Sequence, residues 1–169
     1  MKDRWNYEGL GCVKYGNPET YKLAAKWLDE VGGTLEDWGC GCAAFKEHVK
    51  VCKYIGIEGS KNAYADRCDV NLLEYTSSCD CILLRHVICH NVEWEKLLKN
   101  AVKSFKKRMV LITFMPMGTK TKIVFVNTDK RYAGVPDFSF RAGDLVKHFC
   151  DYLVKIDRIG NETLFYLEK

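Results

Sequence analysis

An open α/β sheet with mostly parallel strands is what this sequence predicts, and three observations predict it. Short apolar segments at residues 34–38 and 53–58 flank a helical pattern at residues 43–51, the order of parts in a βαβ unit, and such units imply parallel pairing. Residues 79–87 form a nearly continuous apolar run, the signature of a strand buried on both faces. The chain closes with residues 153–159 and 163–168 joined across Gly160-Asn161, an antiparallel hairpin.

Taken in order, Asn17-Pro18 opens the first helix, with a capping side chain followed by proline at the first helical position. Leu23, Ala24, Trp27, Leu28 and Val31 recur at helical spacing, and Gly32-Gly33 stops the pattern. The strands at 34–38 and 53–58 follow. Residues 59–65 are too few for a crossover helix and lead into a further strand expected near 66–70. The apolar strand 79–87 feeds a helix at 91–105, whose Leu97, Leu98, Ala101, Val102 and Phe105 fall on one stripe, and then a strand at 109–114. After the break Met115-Pro116-Met117-Gly118 come a short strand or lid segment at 122–127 and a helix at 142–152 with Leu145, Val146 and Phe149 inward.

With 169 residues, 47% of them hydrophobic, and a mean hydropathy of -0.22, the chain suits one domain with a two- or three-layer core. Residues 1–33 are expected as an N-terminal helical lid segment and 34–169 as the sheet core. No apolar stretch is long enough to span a bilayer and the N-terminus lacks an apolar signal core, so a cytoplasmic protein without membrane partners is expected. Nine cysteines, an odd number set mainly in apolar runs, read as reduced buried thiols. The C-x-C pairs Cys40/Cys42 and Cys79/Cys81 are spaced more tightly than structural zinc ligands, and no metal is expected. The net charge of +4 owes part to the run 103–108, which closes a helix where cations complement the macrodipole; solvation rather than nucleic-acid binding is the favoured reading.

The most informative run is Leu35-Glu36-Asp37-Trp38-Gly39-Cys40-Gly41-Cys42-Ala43-Ala44, followed by Tyr54-Ile55-Gly56-Ile57-Glu58-Gly59-Ser60. A strand ending in a carboxylate and alternating glycines lets backbone come close to a ligand, and an acidic residue closing the second strand can bond both hydroxyls of a ribose. Asp80-Cys81-Ile82-Leu83-Leu84-Arg85-His86 continues the series as an Asp-initiated apolar strand with a histidine just beyond it.

This order of motifs resembles the class I S-adenosylmethionine-dependent methyltransferases, small stand-alone members in particular, from about Leu35 to the C-terminus. The resemblance implies a Rossmann-like three-layer sandwich of about seven strands, and S-adenosyl-L-methionine as cofactor. It implies backbone N–H groups of Gly39, Cys40 and Gly41 near the cofactor's carboxylate and Asp37 at its ammonium. Glu58, with Gly59, would hold the ribose, Asp69 and Val70 the adenine edge, and Arg85 and His86 would lie near the sulfonium. His86 and His90 are the candidate general bases, because imidazole titrates near neutrality. Ala43 stands where the family has its third glycine, which suits a residue with ordinary helical dihedrals. No Asn-Pro-Pro-Tyr-like tetrapeptide follows the fourth strand of the pattern, which argues against amino-methylation of adenine in DNA.

The implied function is methyl transfer to a small-molecule or glycan acceptor. Trp5, Tyr7, Tyr15, Phe125, Tyr132, Phe138 and Phe140 are candidates for an aromatic acceptor pocket, with core packing as their alternative role. Two other readings stay open. Gly39-Cys40-Gly41-Cys42-Ala43-Ala44 also satisfies the G-x-G-x-x-A pattern of NAD(P)-dependent oxidoreductases, although Asp37 interrupts the apolar lead-in that this pattern normally has. A non-catalytic protein that binds cofactor or partner on the same fold is the second, since fold does not imply activity.

Overall fold

The computed structural model describes residues 17–60, 64–114, 116–128 and 134–169. Six strands, β1 (Thr34–Trp38), β2 (Lys53–Ile57), β3 (Cys79–Arg85), β4 (Phe105–Thr113), β7 (Leu153–Ile159) and β8 (Glu162–Glu168), form one sheet in the order β2-β1-β3-β4-β8-β7. β2, β1, β3 and β4 are parallel; β8 runs antiparallel to β4, and β7 antiparallel to β8. A separate two-stranded ribbon pairs β5 (Lys122–Val126) with β6 (Pro136–Ser139). The α/β class, the parallel centre and the terminal hairpin all follow the sequence.

Alternation along the strands divides the core between two faces. Trp38, Ile82, Leu84, Met109, Leu111 and Phe165 point to the side covered by α2 (Trp94–Ser104) and α3 (Ala142–Val146). Leu35, Cys81, Leu83, Val110, Ile112 and Tyr166 point to the side covered by α1 (Pro18–Asp29). β3 is buried almost throughout, as its apolar run requires. Asn17 caps α1 by accepting the Glu19 N–H at 2.9 Å, and Pro18 occupies the first helical position. Gly33 ends the turn after α1 in a left-handed conformation at φ +95°, where a Cβ would fall 2.3 Å from Asp80 Oδ2. Asp80 in turn accepts the Thr34 N–H and fixes the start of β1.

Three expectations change. The strand expected near 66–70 is a single bridge, Ile57 to Arg67, so the main sheet has six strands rather than seven. The intervening chain is too short to travel away and return, and it clips onto the end of β2 instead: Asp66 takes the Gly56 N–H at 2.7 Å, and Gly56 O accepts from both Asp66 and Arg67. The helix expected at 43–51 is a 3-10 segment, Ala44–His48. The helix expected at 142–152 stops at Val146, and a 3-10 turn, Cys150–Tyr152, follows Phe149. Phe149 leaves helical geometry at φ -149° and packs its ring 5.6 Å from Phe165.

The aromatics offered as acceptor pocket or core divide between the core and the surface where they are described. Phe138 and Phe140 are buried core residues stacked at 5.8 Å, with Phe140 edge-on to Trp94 at 5.1 Å, and Phe125 is exposed on β5. Trp5, Tyr7, Tyr15 and Tyr132 lie outside the described residues, as does the first part of the expected N-terminal lid.

The end of α1 is tied to β2 by one side chain. Asp29 accepts the N–H groups of Lys50, Val51 and Cys52 at 2.8, 3.1 and 2.9 Å. Burial opposes its ionisation, and these three donors outweigh it, so the carboxyl sits below its ordinary value of 3.8. A lowered carboxyl contributes stability that is present above its unfolded value and lost as pH falls through the folded one. Asp29→Ala should therefore cost ~2 kcal/mol near neutral pH, with the deficit shrinking in acid, as read by urea unfolding across pH.

Candidate functional site

Parallel pairing places the carboxyl ends of β1, β2 and β3 side by side, and a cavity of about 410 Å³ opens beyond them. That volume falls in the range of small-molecule sites. Asp37, Gly39, Cys40, Gly41, Glu58, Gly59, Asp69, Val70, Arg85, His86 and His90 all line it. The structure thus brings to one place the residues that the resemblance assigns to cofactor binding and catalysis.

The floor is acidic. Asp37 is buried and accepts the Tyr54 hydroxyl at 2.8 Å. Burial dominates its titration and pushes the carboxyl up to about 7; the Tyr54 hydrogen bond works against that rise, and the nearby Glu58 charge adds to it. Glu58, also buried, accepts the N–H groups of Gly41 and Gly59 at 2.8 Å each and of Ser60 at 3.2 Å. Burial raises its carboxyl above the ordinary value, and the three N–H groups offset part of the rise. The Ser60 side chain is a fourth partner, so the roughly four lone-pair sites of Glu58 are satisfied within the protein.

The glycine corner differs in detail from the sequence reading. Gly39 N and Cys40 N both donate to Ile57 O, at 2.7 and 3.1 Å, and Gly41 N donates to Glu58. The corner's N–H groups are engaged within the protein, where the resemblance implies them at a ligand carboxylate. Gly39 has φ +75°, and a Cβ there would meet Val87 Cγ2 at 2.4 Å, so this glycine is required by close passage of the segment after β3. Ala43 also departs from expectation. Its φ of 53° and ψ of 30° are left-handed, so the third-glycine position keeps a glycine's conformation while carrying a Cβ.

One wall is the loop that replaces the missing strand. Asp69 turns at φ 62°, Val70 donates to Glu58 O at 3.1 Å, and Leu72 and Leu73 add apolar surface beside Leu97 of α2. Tyr75 anchors the loop by donating to Glu36 at 3.2 Å and packing edge-on against Trp38 at 5.0 Å. The opposite wall carries Arg85, His86 and Tyr21. The Arg85 guanidinium donates to the Tyr21 hydroxyl at 2.9 Å and lies 4.1 Å from the centre of its ring. Burial pushes His86 down to about 4, against the influence of Glu162, which keeps its ring neutral at pH 7. His90 pairs with Asp137 of β6 at 2.8 Å; burial opposes its charge, and the Cys89 sulfur and Asp137 outweigh that to push it up to about 10.

Sequence reasoning missed Tyr21, Leu72, Leu73 and Leu97 as cavity residues. Signals existed for three of them. Tyr21 shares a helical face with Ala25 and Leu28, and Leu72-Leu73 is an apolar pair in an otherwise polar loop. Among the described residues no group of three or more His, Cys, Asp or Glu is arranged to hold a metal ion, and no helix is long and apolar enough to cross a membrane. Chemically, the arrangement suits a ligand that has a cationic or hydroxyl-bearing part for the acidic floor and a flat apolar part for the leucine wall.

No family model and no curated protein matches this sequence. Solved structures do. A Synechocystis magnesium protoporphyrin IX methyltransferase with bound S-adenosylmethionine is similar at 13% identity, with a TM-score of 0.65 over 99% of this chain and 90% of that one. A Burkholderia thailandensis 1,6-didemethyltoxoflavin-N1-methyltransferase with S-adenosylhomocysteine and 1,6-didemethyltoxoflavin is similar at 11%, TM-score 0.66, over 90% of this chain and 81% of that one. The N-terminal domain of EvdMO1, crystallised with S-adenosylhomocysteine and D-fucose, is similar at 12%, TM-score 0.64, over 92% and 84%. The likeness establishes that this chain has the class I methyltransferase fold.

Two outcomes follow from this geometry. Ala43→Gly should stabilise the protein by ~0.5–1 kcal/mol in denaturant unfolding, because it relieves a left-handed Cβ and outweighs the extra freedom of the unfolded chain. A raised carboxyl such as Asp37 stabilises the fold below its unfolded value, and that contribution is lost as pH rises through about 7. Ligand-free Asp37→Asn should therefore gain stability relative to the unsubstituted protein between about pH 5 and pH 8, as read by urea midpoints.

Proposed function

We propose that this protein is an S-adenosylmethionine-dependent methyltransferase acting on a small-molecule acceptor, a glycan included. The observation that carries the reading is the convergence of Asp37, Glu58 and Asp69, from three separate chain corners, on one cavity at the carboxyl ends of parallel strands. The residues present fit the cofactor. Asp37 is a buried carboxyl whose one hydrogen-bond donor among the described residues is Tyr54, and a cationic ammonium would complete its shell and draw it into the ionised form. Glu58 lines the cavity where a ribose hydroxyl can take the place of the Ser60 side-chain donor, Asp69 can accept the adenine amine, and Val70, Leu72, Leu73 and Leu97 offer the apolar surface that a purine stacks against. With the N–H groups of the glycine corner engaged elsewhere, Arg85 supplies the positive charge for the amino-acid carboxylate.

When bound, S-adenosylmethionine supplies an electrophilic methyl group on a sulfonium. The protein's part is to align an acceptor atom about 3 Å from that carbon, in line with sulfur, and to exclude water. His86, neutral and on the cavity wall, is the residue suited to receive an acceptor proton. His90, held charged by Asp137, is suited to orient an acceptor and to join the β5–β6 ribbon to the site. The structurally similar proteins named for porphyrin and toxoflavin chemistry support a small-molecule acceptor.

A non-catalytic reading draws on the same observations, since the occupied corner and the paired His90 suit a binding protein as well as an enzyme. Titration calorimetry with S-adenosylmethionine and S-adenosylhomocysteine, against NAD and NADP, separates the three. Binding of the sulfur nucleotides alone is expected, weakened ~10-fold in Glu58→Gln through a lost charge-assisted hydrogen bond and tightening from about pH 6 to pH 8 as Asp37 ionises. Binding of the dinucleotides alone would move the protein to the oxidoreductases. S-adenosylmethionine binding with no methylated product from any acceptor would favour the non-catalytic reading.

A further inference from the structure

Behind the wall that carries Arg85 and His86 lies a carboxylate that does not itself line the cavity. Glu162 opens β8 and is 3% exposed. One of its oxygens, Oε1, accepts from Arg85 Nη2 at 2.8 Å and lies 3.2 Å from His86 Nε2 and 3.2 Å from the Asn17 N–H. The other accepts from the Thr20 hydroxyl. Because Arg85 also donates to Tyr21 and stacks over its ring, this carboxylate controls three cavity side chains from two elements, two directly and one through Arg85.

The chemistry of the cluster is specific. Burial by itself would raise the Glu162 carboxyl, yet the close His86 ring, the Thr20 hydroxyl and the charge of Arg85 bring it down to about 2, so it is ionised. An ionised carboxylate only accepts hydrogen bonds. The Nε2 of a neutral imidazole 3.2 Å from it, a contact outside hydrogen-bond geometry, is the nitrogen whose proton the carboxylate favours. His86 also sits at φ 60°, a conformation costly for a residue with a Cβ, and such strain persists where surrounding bonds over-determine it. The Glu162 contact and the His86 N–H to Ile112 O bond at 2.9 Å supply two of those constraints.

We propose that Glu162 is a positioning residue of the transfer site, holding Arg85 and Tyr21 on the cavity wall and fixing His86 as its Nε2–H tautomer. The logic is that of a carboxylate that orients a catalytic imidazole from behind. The inference rests on the methyltransferase reading for its function, and its structural half stands apart from that reading.

The test uses the full chain with ¹⁵N-labelled histidine, first without ligand. In the unsubstituted protein the ring nitrogens of His86 should report a single Nε2–H tautomer. In Glu162→Gln, whose amide can turn either a donor or an acceptor to the ring, a mixture of tautomers is expected, together with a ~10-fold loss of S-adenosylhomocysteine affinity. Glu162→Asp should restore the tautomer and part of the affinity, and it serves alone if the glutamine variant does not fold: the tautomer then stays Nε2–H while affinity falls. Thr20→Val, which removes a donor and keeps the carboxylate, should lower the unfolding temperature without moving the tautomer. A His86 tautomer indifferent to Glu162→Gln, or an affinity unchanged across the Glu162 series, would overturn the proposal. Absence of S-adenosylhomocysteine binding in the unsubstituted protein would instead sink the cofactor reading, and the ligand-free spectra would still decide whether Glu162 sets the His86 ring.

Discussion

Trp38, Ile57 and Leu84 stand abreast in parallel register, and the site begins one residue beyond them. Gly39, Glu58 and Arg85 are the next residues on their respective strands, so a single register brings a tight corner, a carboxylate and a guanidinium to the same sheet edge. Side chains alternate along a strand with a period of two, and a slip of one residue would exchange core and site. The apolar contacts of Trp38, Ile57 and Leu84 on the α2 side make that slip costly. Packing in the core and chemistry at the edge are consequences of one alignment.

That alignment buries several acidic groups at once, and the protein resolves the cost in different ways. Asp37 keeps its proton to near neutral pH. Glu58 is also raised by burial, and three backbone N–H groups and the Ser60 side chain oppose that rise. Glu162 ionises outright because the Arg85 guanidinium, the Thr20 hydroxyl and the Asn17 N–H share it. Buried polar groups must be neutralised or bonded, and here the choice differs with role. The group left with least satisfaction in the ligand-free protein, Asp37, is the one a cationic ligand would complete, whereas Glu162 is saturated and suits a holding role.

The shortened connection after β2 shapes the same cavity from the other side. With no full third strand, residues 66–75 lie against the sheet edge, fixed at one end by Asp66 and Arg67 on Gly56 and at the other by Tyr75 on Glu36 and Trp38. Glu36, the acidic neighbour of Asp37, thereby has a structural task, since its carboxylate also accepts the Trp38 indole N–H at 2.8 Å. Two adjacent carboxylates on one strand point to opposite faces, and only Asp37 reaches the cavity.

Local sequence carries the α/β class, the strands from Thr34 and Lys53, the apolar β3 and the closing hairpin, and its motif resemblance points to the acidic and glycine residues at the cavity but not to Tyr21, Leu72, Leu73 or Leu97. Those features are written in local periodicity and in motifs whose spacing along the chain fixes which residues follow each strand. Tertiary structure alone decided that residues 66–70 form a clip, that Ala43 takes a glycine's conformation, that the corner's N–H groups serve Ile57 and Glu58, and that Phe138 and Phe140 belong to the core. It alone revealed Glu162, which lies more than seventy residues along the chain from Arg85 and reaches it because β8 inserts beside β4. Periodicity describes how a segment meets water and core, whereas the partner of a buried charge is set by which distant segments pack against it, and that information is not local.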